Sequence, residues 1–159
     1  MSSNQPINEI FFKVSANWKK EKKGEFYTTE YSDSFPFSCP SVLGGIETPS
    51  PEDLFLSAIA TCTVTTLLHM CDKLHTSPDS LQVKVSAYLR LIDAANYVFQ
   101  AINCQIDVSG EEFLLERACE LIPKYCAVSN AIQPEIYYQV TLNSEKKFTI
   151  SKKGKRIES

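Results

Sequence analysis

The sequence lacks the features that would commit it to several common roles. No charged segment followed by an apolar run opens it, so no signal peptide is expected and the default location is the cytoplasm. The formal net charge is only −3, which gives no global pull toward nucleic acid or a membrane surface. No CxxC pair occurs and there are only two histidines, so the six cysteines match no common zinc spacing. A reducing compartment also argues against a structural disulfide framework. The longest apolar stretch, residues 54–70, is broken by Ser57, several threonines and His69. It reads as a buried soluble helix rather than a membrane span. No internal repeat is visible.

What remains is an ordinary globular chain. Apolar residues make up 43% and charged residues 22% of 159 positions, enough for one domain with a real core. Residues 1–143 are read as that single domain and residues 144–159 as a basic C-terminal tail of uncertain order. The tail lysines suit a solvated segment better than a nucleic-acid contact, since no binding module accompanies them.

One stretch organises the chain. Ser50 is a good N-cap, Pro51 suits the first helical position, and Glu52 and Asp53 complement the positive helix end. A long helix free of glycine and proline is predicted over residues 50–75. Being apolar on most faces, it belongs inside a fold or between two subunits. Before it, residues 10–18 and 24–31 flank a lysine-rich turn and predict a β-hairpin, with Phe35-Pro36-Phe37 a third short strand. Gly44-Gly45 mark a turn leading into the helix. After it come strands over 81–92 and 97–108, a helix over 111–124 capped by Ser109, a short helix over 125–132 and a strand over 135–142. On the second strand Val98, Ile102, Cys104, Ile106 and Val108 share one face. Strands cluster in pairs, so the fold class is α+β with a mostly antiparallel sheet.

Each cysteine is judged by its place on its element. Cys104 and Cys119 fall on apolar faces and read as core thiols. Cys71 lies on the helix face opposite Cys62 and is assigned a structural role. Cys39 precedes Pro40 in a loop with no feature that explains it. Cys62 differs in having Thr61, Thr63, Thr65 and Thr66 beside it, although those hydroxyls can simply bond back to i−4 carbonyls. Cys126 precedes a short helix whose free N–H groups would favour a thiolate. From the residues alone, an inert pair and a reactive pair both stand. His69 reads as a satisfied core histidine, about 10 Å beyond Cys62 along the helix axis.

Taken together, Gly44-Gly45, Ser50-Pro51-Glu52-Asp53-Leu54, Ala58 to Cys62, and Cys126-Ala127-Val128-Ser129-Asn130-Ala131 resemble the OsmC/Ohr family of osmotically induced and organic hydroperoxide resistance proteins. The resemblance covers residues 10–142. It implies an intertwined α+β homodimer, with mostly antiparallel sheets packed on long central helices and active sites at the subunit interface. It also implies a thiol peroxidase without metal or bound organic cofactor, acting on an organic hydroperoxide and recycled by an external, lipoyl-type dithiol. Carried over, Cys62 would be the peroxidatic cysteine and Cys126 the resolving one. Glu52 would be the glutamate that pairs with an activating arginine. Because Glu52 and Cys62 are about 15 Å apart along one helix, that glutamate would have to come from a second copy.

The chain departs from the family at that arginine. None occurs before Arg90; the hairpin turn holds Lys19, Lys20, Lys22 and Lys23 instead, and lysine is not an equivalent replacement. Ala127 also stands where the family commonly has proline. The missing arginine motivates a second expectation: a member without peroxidase activity that binds a small apolar ligand at the dimer interface.

Overall fold

The computed structural model describes residues 9–157. The chain divides into two compact units, Met1–Leu54 and Phe55–Ser159. In the first, β1 (Val14–Lys20), β2 (Lys23–Thr28) and β3 (Phe35–Ser38) form an antiparallel sheet in that order. The hairpin and the third strand match expectation within a few residues. The turn lysines are held locally: Lys19 pairs with Glu25 at 3.2 Å, Lys23 with Glu21 at 3.1 Å, and Lys22 Nζ donates to the Leu43 carbonyl at 3.0 Å. Gly44 takes a left-handed φ of 91° to end a short 3-10 turn, Ser41–Leu43. Gly45 is required for a different reason. A Cβ there would sit 1.6 Å from the Cys39 carbonyl oxygen, so only glycine lets the two backbones approach.

Helix α1 (Pro51–Lys73) begins as its sequence dictates. Asp53 N–H donates to Ser50 Oγ at 3.1 Å, while Ser50 N–H and Oγ donate to Asp53 Oδ2 at 2.9 and 2.8 Å. This reciprocal cap satisfies two otherwise orphaned donors and contributes about 1 kcal/mol. The Ser50 backbone and hydroxyl hydrogen bonds hold the Asp53 carboxyl below its usual range.

In the second unit, β4 (Ser80–Asp93), β5 (Asn96–Ser109), β6 (Ile136–Leu142), β7 (Lys146–Ser151) and β8 (Arg156–Ile157) form one sheet in sequence order. All neighbours are antiparallel except β5 and β6, which are parallel. A parallel pair needs a crossover, supplied here by α2 (Glu112–Tyr125) and α3 (Ala127–Ala131). Alternation puts Ile102, Cys104, Ile106 and Val108 of β5 and Ile136, Tyr138, Val140 and Leu142 of β6 on one buried face. Leu115, Ala118, Cys119 and Ile122 of α2 and Ile59, Leu67, Met70 and Cys71 of α1 belong to the same core. Phe55 stacks on Phe99 with ring centroids 4.8 Å apart.

Several expectations are corrected. The segment read as a basic tail supplies β7 and β8, because Phe148 and Ile150 alternate onto the core face while the lysines point elsewhere. Lys146 pairs with Glu112 at 3.1 Å and with Glu116, and Arg156 donates to Glu116 at 2.7 Å, tying these strands to α2. Glu111, not Ser109, caps α2: its carboxylate accepts from Leu114 N–H at 2.7 Å. Val98 does not join the core face of β5, for the β4–β5 register shifts near Ala87 and Leu89. Helix α1 buries one face within this chain, in keeping with a helix expected inside a fold or between two subunits. Ile59, Thr63, Thr66, Leu67, Met70 and Cys71 form one buried stripe, whereas Leu68 and His69 are exposed. His69 is therefore not a core residue. By length and composition alone α1 could cross a membrane, but its buried stripe belongs to the core of this unit.

Candidate functional site

Two distant parts of the chain meet at a pair of thiols. Cys62 sits mid-way along α1 at the margin of its buried stripe, and is half-buried. Cys126 lies where α2 ends. Its N–H closes the last turn onto the Ile122 carbonyl at 2.9 Å, its ψ of 102° then leaves the helix, and its own carbonyl accepts from Asn130 in α3 at 3.1 Å. The side chain at this corner is fully buried and has the Cys62 thiol as its neighbour.

The surroundings of Cys126 are polar on one side. Ser129 Oγ donates to Cys126 Sγ at 3.0 Å, and the Tyr138 hydroxyl donates to Ser129 Oγ at 2.8 Å. Both side chains are fully buried. On α1, Thr66 Oγ1 lies 3.9 Å from Cys62 Sγ. The other collar threonines follow the plain expectation: Thr61, Thr63 and Thr65 donate to the carbonyls of Ser57, Ile59 and Thr61 at 2.9, 2.8 and 3.1 Å. Cys104 Sγ approaches Thr63 Oγ1 at 3.9 Å, on the sheet side of the same cluster.

Burial governs the electrostatics. It raises the Cys126 thiol above its ordinary value, with the Cys62 neighbour adding to the rise and the Ser129 hydroxyl and amide opposing it. The expected help from a helix N–H is present, since the Ser129 amide favours the Cys126 thiolate, but desolvation outweighs it. Burial also pushes Cys104 up to about 12 and raises the Tyr138 phenol, so both stay protonated at neutral pH. Cys71 and Cys119 are buried; burial pushes Cys119 up to about 12, with Cys71 as its charge neighbour. They have the character of core thiols. Cys39 donates to the Leu43 carbonyl at 3.4 Å, which gives that thiol a local partner.

Glu52 lies in the first turn of α1, and its Oε2 is buried without a hydrogen-bond partner among the described residues. The unbroken helix puts Glu52 about 15 Å from Cys62 along its axis. Among the described residues, no group of three His, Cys, Asp or Glu side chains could hold a metal ion. Surface hollows lined by Gln105, Asp107 and Gln139, by Ser80 and Ser109, or by Glu135 and Arg156 contain no cysteine.

Sequence reading found the two thiols but missed Tyr138 and Cys104 as their neighbours, and gave Ser129 no role of its own. The signal for Tyr138 was present: it alternates with Ile136, Val140 and Leu142, and a tyrosine on a core face needs a partner for its hydroxyl.

Comparison with known proteins agrees with this architecture. The family model described as OsmC-like protein matches residues 44–141. An OsmC-like protein of unknown function from Vibrio cholerae superposes with a TM-score of 0.72 at 14% identity, over 84% of this chain and 100% of that one. A Legionella pneumophila structure described as an organic hydroperoxide resistance protein OsmC gives 0.67 at 18% identity, over 84% and 96%. One from Elizabethkingia anophelis, also described as an organic hydroperoxide resistance protein, gives 0.65 at 17%, over 86% and 97%. No curated protein matches the sequence.

Proposed function

Because the chain belongs to the OsmC-like protein family, we propose that it is a cysteine-based peroxidase that reduces organic hydroperoxides. The observation that carries this reading is the meeting of half-buried Cys62 with fully buried Cys126. Cys62 is the more accessible of the two and therefore the one that meets substrate. Its thiolate attacks the O–O bond, an alcohol leaves, and Cys62 becomes a sulfenic acid. Cys126 then attacks the oxidised sulfur, water leaves, and a Cys62–Cys126 disulfide forms. An external dithiol of lipoyl type, in a reducing compartment such as the cytoplasm, returns both thiols by exchange. The apolar residues around the cysteines, Phe55 and Ile59 among them, favour an organic hydroperoxide over hydrogen peroxide.

The working form is an intertwined homodimer. Supporting this, α1 carries a long, largely apolar run yet leaves Leu68 exposed beside a single buried stripe. A second α1 packed against it in antiparallel fashion would bring its own Glu52 toward Cys62 and give the unpaired carboxylate a use. A specific observation favours one competing reading, an apolar-ligand binder without peroxidase activity: no arginine precedes Arg90 to activate the thiol. The deciding experiment follows cumene hydroperoxide consumption in the presence of dihydrolipoamide. Consumption by the wild type and its loss in Cys62→Ser are expected; an unchanged rate in that variant defeats the peroxidase reading.

A further inference from the structure

The Tyr138–Ser129 pair has no part in the scheme above, yet it ends on the sulfur of Cys126. From that geometry we propose that Tyr138 and Ser129 form a hydroxyl relay that aims the Cys126 thiol at Cys62 and stabilises it as it loses its proton during disulfide closure. The inference rests on the Cys62–Cys126 pairing proposed above. Three observations carry it. The hydrogen bonds run one way, from Tyr138 to Ser129 at 2.8 Å and from Ser129 to Cys126 Sγ at 3.0 Å. All three side chains have no solvent exposure, so no water competes for these partners. The three residues come from β6, α3 and the α2–α3 corner, so the fold fixes the relay rather than one flexible segment.

The chemistry follows from donor counting. The Ser129 O–H, held in place by Tyr138, occupies a lone pair of Cys126 Sγ. The S–H of Cys126 is left free to point elsewhere, and Cys62 is the thiol beside it. When Cys62 carries a sulfenic acid, the S–O bond breaks as the S–S bond forms. The departing hydroxide takes the Cys126 proton and leaves as water. Cys126 is oxidised and the Cys62 sulfur is reduced by the same electron pair. As negative charge develops on Cys126, the hydrogen bond from Ser129 becomes charge-assisted and strengthens where it is needed. In a site whose burial opposes the thiolate, that donor offsets part of the desolvation. Ser129 and Tyr138 are thus positioning residues, acting through Cys126 and not on substrate.

The test measures disulfide closure separately from hydroperoxide chemistry. Diamide oxidises one thiol of a pair and leaves the second to close the disulfide, so closure can be followed by mass mapping without any peroxide. Closure about tenfold slower in Ser129→Ala is expected, with its pH profile moved to higher pH, and a smaller slowing in Tyr138→Phe. Ser129→Thr, which keeps a hydroxyl, is expected to restore most of the rate. Tyr138→Phe retains the ring that fills the core, so it reports on the hydroxyl even where a larger change would unfold the protein. Closure in Ser129→Ala and Tyr138→Phe at the wild-type rate and pH dependence would overturn the relay. If diamide closes the pair in a relay-dependent way while cumene hydroperoxide does not, the relay stands and the peroxidase reading falls.

Discussion

Two of the thiol pairs in the second unit, Cys71 with Cys119 and Cys62 with Cys126, differ in an instructive way. Cys71 and Cys119 neighbour one another across α1 and α2; Cys62 and Cys126 neighbour one another across α1 and the α2–α3 corner. The first pair is buried, and no hydroxyl donates to either sulfur among the described residues. Burial raises both of those thiols, and Glu116, Glu120 and Asp72 add negative charge nearby. The second pair has one half-buried member, a hydroxyl donor on the other, and a tyrosine behind that donor. On the proposed reading, access for substrate and a donor for the developing thiolate, rather than proximity alone, separate the two pairs.

The largest expected effect breaks this comparison directly. Cys62→Ser should lower organic hydroperoxide consumption by about a thousandfold or more, whereas Cys119→Ala should leave the rate within about twofold. A hydroperoxide assay on both variants reads this out. The roles reverse for stability. Removing the fully buried Cys119 sulfur should cost about 1–2 kcal/mol, visible as a lower urea midpoint with unchanged slope, while Cys62→Ser at the margin of the core should cost less. A Cys119 variant that kept its stability but lost activity would reverse the assignment of the pairs.

Smaller effects test the frame around the pairs. Ser50→Ala removes the cap of α1, the helix that carries Cys62 and Cys71, and should cost about 1 kcal/mol in denaturant unfolding. The ion pairs that tie β7 and β8 to α2 make a pH prediction. Hydrogen bonds from Lys146 and then Arg156 hold the Glu116 carboxyl below its usual range. Its contribution is thus fully present above the ordinary glutamate range and is lost as pH falls through its lowered folded value. Glu116→Gln should flatten the loss of stability on acidification below about pH 4.5, with a change at neutral pH of about 1 kcal/mol or less, as for other partly exposed pairs. Melting temperatures of both proteins across that range would measure it.

Much of the frame was legible in the sequence because local rules wrote it. The Ser50-Pro51-Glu52-Asp53 start, the lysine turn and the alternation along 102–108 all specify their elements with near neighbours only. The OsmC-like architecture was legible because its signature residues stand in order along the chain. What escaped depends on tertiary context. The basic composition of 144–159 hid the alternation of Phe148 and Ile150, which acquires meaning only beside β6. The burial that raises Cys126 comes from elements distant in sequence, so its helix-end position revealed the favourable amide but not the larger opposing effect. Tyr138 likewise became part of the site only when β6 was brought beside α3.

In the proposed reaction Cys62 and Cys126, and not Cys71 and Cys119, exchange electrons with an organic hydroperoxide. Treating the fully reduced protein with one equivalent of cumene hydroperoxide, blocking free thiols and mapping disulfides by mass spectrometry tests it most directly. A Cys62–Cys126 disulfide in stoichiometric yield is expected, with Cys71 and Cys119 recovered as free thiols. A Cys71–Cys119 disulfide, or a protein whose thiols all remain reduced, would contradict it.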